Sequence, residues 1–126
     1  MVKIPRIGGS IKLDLEEFVV YALNVFNFID GKEDDYREYS IKAGKIIYGK
    51  GGRVVSSGWN PIRNLHGDKT RNYMIVVEFP SKQIFQDFLD EAETQNIHLL
   101  RENSTTDYIW TLYESWDIRD WVKAPK

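Results

Sequence analysis

The chain has 126 residues, a formal net charge of −2 from 17 basic and 19 acidic side chains, and no cysteine. A hydrophobic share of 42% against 29% charged places it with ordinary globular single domains rather than disordered chains. The balanced charge speaks against a general nucleic-acid binder, which draws its affinity from phosphate neutralisation, and the absence of thiols excludes disulfides, thiolate metal sites and a cysteine nucleophile.

No stretch approaches the roughly 20 apolar residues that span a bilayer, so no membrane association is expected. The opening residues, MVKIPRIGGSIKLDLEEF, carry basic side chains but no continuous apolar run behind them. They do not read as a secretory signal, and the expected location is the cytoplasm. Asn103-Ser104-Thr105 fits a glycosylation acceptor only in a secreted chain. The whole chain reads as one domain: an N-terminal arm over 1–16, a core over 17–114 and a tail over 115–126.

Residues 17–28, EFVVYALNVFNF, predict a long first strand. Phe18, Val20, Ala22, Asn24 and Phe26 fall on one face, and Val19, Tyr21, Leu23, Val25 and Asn27 on the other. Both rows are mostly apolar, which predicts a central strand covered on both sides. Ile11, Leu13 and Leu15 also alternate, as an extension of this strand or an arm. Asp30-Gly31-Lys32-Glu33 has the chemistry of an N-terminal capping box. A helix follows, with Tyr36, Tyr39, Ala43, Ile46 and Ile47 on one side, and Gly49-Lys50-Gly51-Gly52 ends it. A second strand covers 53–59, and 60–71 is a loop with several basic residues.

The third strand covers 72–79. Pro80 cannot donate to a sheet ladder and stops it, and Ser81 is a suitable N-cap for the helix beyond. Ile84, Phe85, Phe88, Leu89 and Ala92 form that helix's apolar stripe. A short helix is expected over 95–102 with Ile97 and Leu100 inward, broken by Asn103-Ser104-Thr105-Thr106. A fourth strand covers 107–114, and 116–122 has room for one more helical turn. The order strand, helix, strand, strand, helix, strand is the ferredoxin-like βαββαβ arrangement, α+β in class. It predicts an antiparallel four-stranded sheet with helices on one face. The uncovered face would be a large apolar patch unless a second copy packs on it.

Gly51-Gly52 before the second strand, Leu65-His66-Gly67 before the third, Glu78-Phe79-Pro80-Ser81 at its end, then Thr94-Gln95 and Arg101 form an ordered series across residues 17–114. In this series the chain resembles the dimeric α/β-barrel superfamily, and within it a branch of small proteins of uncharacterised function. The resemblance implies two ferredoxin-like subunits joined by their bare sheet faces. Related branches carry out cofactor-independent oxygenation, isomerisation or decomposition of small, often aromatic compounds. The arm, the 60–71 loop and the tryptophan-bearing tail depart from the compact pattern of that group.

Among single residues, His66 stands beside a glycine in a loop entering a strand, where an imidazole can act as an acid or base. Arg101 can hold a carboxylate in a bidentate fork, or pair with Glu102 or Asp107. Asn24 needs a partner if buried, and can bond the backbone or orient a ligand. Tyr36 and Tyr39 on the first helix, with Tyr21 and Trp59 on strands, supply rings for a flat ligand or for the core. His98, among Ile97, Leu99 and Leu100, reads as a packing residue, and Trp110, Trp116 and Trp121 suit a packed interface.

No metal is expected, because His66 and His98 stand in no ligand array. The glycine run at 49–52 follows a helix and lacks nucleotide-binding spacing. No haem or flavin motif is present, so no cofactor is expected. The functional expectation is a small-molecule-binding protein or cofactor-independent enzyme for a small aromatic or anionic compound. His66 would be its acid/base, and Arg101, Asn24, Tyr39 and Trp59 would bind the ligand. The alternative is a non-catalytic homodimer serving assembly.

Overall fold

The computed structural model describes residues 18–123. The alternating residues Ile11, Leu13 and Leu15, read as an arm or strand extension, lie outside that range. Strand β1, Val20–Phe28, buries Val20, Ala22, Asn24 and Phe26 in strict alternation. Helix α1, Glu33–Gly49, buries the stripe expected of it: Tyr36, Tyr39, Ala43, Ile46 and Ile47.

The capping box at Asp30 and Glu33 does not form. The N-cap is Lys32, without a side-chain bond. Gly31 takes φ +81 in the turn before it, and Asp35 N–H bonds the Lys32 carbonyl directly. The turn thus sets the N-cap one residue before Glu33, out of register for a box opened by Asp30. Glu33, Asp34 and Asp35 instead place negative charge in the first turn, where the helix dipole favours it.

The other end of α1 closes as its glycines predict. Gly51 adopts φ +88, and Gly52 N–H returns to the Ile47 carbonyl at 2.9 Å. β2, Arg53–Trp59, is an exposed edge strand, with a bulge between Val54 and Ser56. β3, Tyr73–Phe79, runs into Pro80. Ser81 Oγ then accepts the Ile84 N–H at 3.1 Å and opens α2, Lys82–Thr94.

The next helix, α3, spans His98–Ser104 rather than 95–102. Asn96 at φ +60 separates it from α2, and it ends within the expected breaker stretch, with Asn103 and Ser104 in its last turn and Thr105 as its C-cap. Ser104 Oγ donates to the Leu100 carbonyl at 2.6 Å and Thr105 Oγ1 to the Arg101 carbonyl at 2.8 Å. These hydroxyls cap the turn instead of competing with it. β4, Thr105–Glu114, and the short α4, Arg119–Val122, complete the described chain.

The four strands lie in the order β2-β3-β1-β4, every pair antiparallel, which is the ferredoxin-like sheet. The register sets Asn24 opposite Ile75 on one side and Trp110 on the other. Residues paired this way share a face. That face carries the helices: Phe26 packs on Tyr36 of α1, and Phe79 on Phe88 of α2. The opposite face presents Tyr21, Leu23 and Val25 of β1, Met74 and Val76 of β3, and Ile109 and Tyr113 of β4. None of these is buried, so among the described residues β1 is covered on one side, not two.

The glycine pair is a packing requirement. A Cβ on Gly52 would stand 2.9 Å from Ile47 Cγ2 and 3.0 Å from the Glu78 carbonyl oxygen, whereas one on Gly49 meets nothing within 4 Å. Gly52→Ala should therefore lower the stability read from urea unfolding by about 1–3 kcal/mol. Gly49→Ala should be neutral or slightly stabilising, since alanine is the better helix former. Equal midpoints for the two variants would contradict this account of the α1–β2 corner.

Candidate functional site

A cavity of about 90 Å³ lies between α1 and the covered face of the sheet. Its floor is Ala22 and Asn24 of β1 with Ile75 of β3, and α1 roofs it with Tyr36, Tyr39 and Ala43. The walls are largely apolar. Its polar groups come from Asn24, Ser40, the tyrosines and Trp110; none of its lining residues is Asp, Glu, His, Lys or Arg.

Asn24 is 5% exposed and its amide is engaged at both ends. Nδ2 donates to the Ile75 carbonyl at 3.3 Å, and Oδ1 accepts the Tyr108 hydroxyl at 2.5 Å. One side chain thus joins β1 to both neighbouring strands. Tyr108 is further fixed by stacking on Phe26, with centroids 5.0 Å apart.

Burial pushes the phenols of Tyr36, Tyr39 and Tyr108 upward, because a buried phenolate would lose its hydration. Proximity to Tyr39 raises Tyr36 further, and Tyr36 and Tyr39 do the same for Tyr108. Arg101 pulls all three the other way without reversing the shift. At neutral pH the three hydroxyls are therefore protonated hydrogen-bond partners, not bases.

Arg101 reaches this cluster from α3. Its guanidinium carbon lies 4.9 Å from the Trp110 ring centroid, 5.3 Å from that of Tyr108 and 5.9 Å from that of Tyr39. At these separations a cation is attracted to the ring faces. Glu102 stands 3.8 Å from it, at the long end of an ion pair. Arg101 does not line the first cavity. It lines a second cleft of about 340 Å³, from which Tyr39, Phe88 and Trp110 separate the first.

Of the residues singled out in the sequence, Asn24 and Tyr39 meet at the first cavity and Arg101 stands behind Tyr39. Trp59 is 72% exposed at the end of β2, and His66 is exposed in the 60–71 loop; neither lines either space. The loop is tied down by other groups. Arg71 Nε donates to the Asp107 carbonyl at 2.9 Å, and Asn72 N–H to Asn27 Oδ1 at 2.7 Å. Tyr108 and Trp110 were not recognised as site residues. The signal was present: both share the alternating row of β4, and the ferredoxin-like order sets that strand beside Asn24. Among the described residues no three His, Cys, Asp or Glu side chains are placed to hold a metal ion.

The fold and its interior define a ferredoxin-like α+β protein with a small, largely apolar space under its first helix. The family described as "Domain of unknown function (DUF1330)" matches residues 20–113, and the chain belongs to it. Among solved structures, it is similar to the RPA0582 protein of unknown function from Rhodopseudomonas palustris, at 14% identity and TM-score 0.70, covering 89% of this chain and 96% of that one. SnoaB, a cofactor-independent oxygenase from Streptomyces nogalater, aligns at 14% identity and TM-score 0.56, covering 79% and 95%. A dimeric ferredoxin-like protein of unknown function from Thermobifida fusca aligns at 8% identity and TM-score 0.53, covering 80% and 94%. No curated protein matches the chain significantly. Among the described residues no helix is long and apolar enough to cross a membrane.

The buried phenols give the site a testable signature. Their folded-state ionisation lies above the unfolded value of about 10, so unfolded chains release these protons first. The stability they contribute is complete below pH 10 and is lost as pH rises toward the folded values. In a spectrophotometric titration, at least three of the seven tyrosines should keep their protons until circular dichroism reports unfolding. Ionisation of all seven in a still-folded chain would contradict the description of the cluster.

Proposed function

We propose that the protein is a cytoplasmic homodimer that binds a small, flat, largely apolar compound in the cavity beneath α1, with the compound's polar end toward Asn24 and Tyr36. The observation that carries this reading is an apolar space whose floor holds one buried amide, locked in place by two strands. Pockets of this kind bind by apolar contact and orient by a few fixed polar groups. The volume limits the occupant. A cavity of ~150 Å³ is known to take up benzene, so about 90 Å³ admits at most a single small ring or a short chain, and a polycyclic compound is too large.

Binding is favoured over side-chain acid/base catalysis because the lining offers no group that takes a proton at neutral pH. The enzymatic form of the reading is a cofactor-independent reaction like that named for SnoaB, in which the cavity would position and desolvate the substrate. An assembly-only protein needs no such cavity. The dimer is supported by the uncovered apolar row of β1, β3 and β4 and by the dimeric description of the Thermobifida fusca protein. A twofold partner using the same row would cover it with a self-complementary surface.

Phenol is a suitable probe, being one ring with one hydroxyl. By binding the native state it should raise the melting temperature, and the rise should grow with the logarithm of phenol concentration above the dissociation constant. Ala22→Val, which adds two methyl groups to the cavity floor, should weaken phenol binding about tenfold while the fold persists. Absence of a phenol effect on the parent protein, or an equal effect on the valine variant, would refute the assignment of this cavity.

A further inference from the structure

Gly44 stands in the interior of α1, where glycine is a poorer helix former than alanine. Neither its backbone nor its packing calls for a glycine. It is not among the glycines at positive φ, and a Cβ built on it meets no described atom within 4 Å, unlike one on Gly52. Gly49 has the same freedom, but it ends the helix and does not line the space under α1. Gly44 does line it. A side chain at this position would take up room at the border of the cavity.

That border is where the cavity opens. Most of the lining is buried, but Ser40 of α1 and Val54 of β2 are exposed, and Gly44 is half-buried. Ser40 and Gly44 are four residues apart and so share one side of the helix. The strand register shows what lies between opening and floor. Asn24 pairs with Ile75, and Ile75 with Ser57 of β2. Two strand spacings, about 10 Å, therefore lead from the buried amide to the edge of the sheet. Ser57 shares the face of Ile75 yet is exposed, so the helices leave this part of β2 bare. A ring whose polar end lies at Asn24 points its opposite end at the gap between Gly44 and Val54. The cavity of about 90 Å³ encloses no more than that ring, and a substituent at the far end continues over β2 toward water.

We propose that the gap between Gly44 and Val54 is the entrance of the cavity, and that Gly44 determines its specificity: the missing side chain lets a single-ring compound carry an apolar substituent opposite its polar end. The inference rests on the cavity under α1 being the ligand site, and it names the class of ligand as para-substituted rings.

Phenol and 4-propylphenol, titrated into the intact protein, test it. The parent should bind 4-propylphenol at least as tightly as phenol, and 2-propylphenol at least fivefold more weakly than the 4-isomer. Gly44→Leu should weaken 4-propylphenol at least tenfold and phenol less than threefold. Its urea midpoint should not fall, since leucine is the better helix former. Gly49→Leu, on the same helix but away from the cavity, should leave both affinities unchanged. If Gly44→Leu lowers the midpoint, Gly44→Ala decides, again with the larger loss for 4-propylphenol. The proposal is overturned if phenol binds the parent and 4-propylphenol does not, if the two propyl isomers bind equally, or if the decisive Gly44 variant weakens phenol and 4-propylphenol to the same extent or neither. Failure of every one of these compounds to bind the parent would instead refute the cavity as the ligand site, and this inference with it.

Discussion

A sheet that is apolar on both faces but carries helices on only one constrains everything else in this molecule. β1 lies between β3 and β4, and its alternate residues serve two purposes. Ala22, Asn24 and Phe26 meet the helices, while Tyr21, Leu23 and Val25 form the row that no described residue covers. The cavity under α1 and the proposed dimer interface are thus one residue apart along the same strand. A slip of one position would exchange them. Asn24 opposes such a slip, because only in this register does its amide meet both the Ile75 carbonyl and the Tyr108 hydroxyl.

The aromatic cluster around that amide links packing to electrostatics. Phe26 touches Tyr36, Tyr73 and Tyr108, and Trp110 meets Phe85 and Phe88, so the rings form a continuous layer between sheet and helices. Arg101 lies against this layer instead of in water. Its charge draws on ring faces and on one distant carboxylate, a weaker balance than a close ion pair would give. The layer also divides the interior. An uncharged space lies beneath α1, and a space lined by charged side chains lies outside Tyr39 and Trp110.

Much of the fold was legible because local chemistry and periodicity agreed. All five residues of the α1 stripe are buried, β2 has the bounds its sequence suggests, and Ser81 caps α2. The misjudged features depended on backbone geometry that residue types do not reveal. Asp30 and Glu33 have box chemistry, but Gly31 turns the chain so that Lys32 becomes the cap. The stretch at 103–106 does end the short helix, but two residues later than expected, because the Ser104 and Thr105 hydroxyls fold back and bond the last turn. The site was harder to read. Asn24 and Tyr39 follow from an unpaired polar residue in an apolar row and a ring on a buried stripe. His66 drew attention by its side-chain chemistry, yet it stands in an exposed loop. Trp110 reads as a packing residue and does pack, against Phe85, Phe88 and Tyr108; that it also borders the space under α1 follows only from the strand register.

The uncovered row is the point at which the account is most exposed. Sedimentation equilibrium of the intact protein at micromolar concentration measures it directly. The account predicts a particle of twice the 14.8 kDa chain mass, dissociated by Val76→Lys, which places a charge in the middle of the bare face. A folded particle of single-chain mass would show that this face is stable without a second copy, and would contradict the dimer.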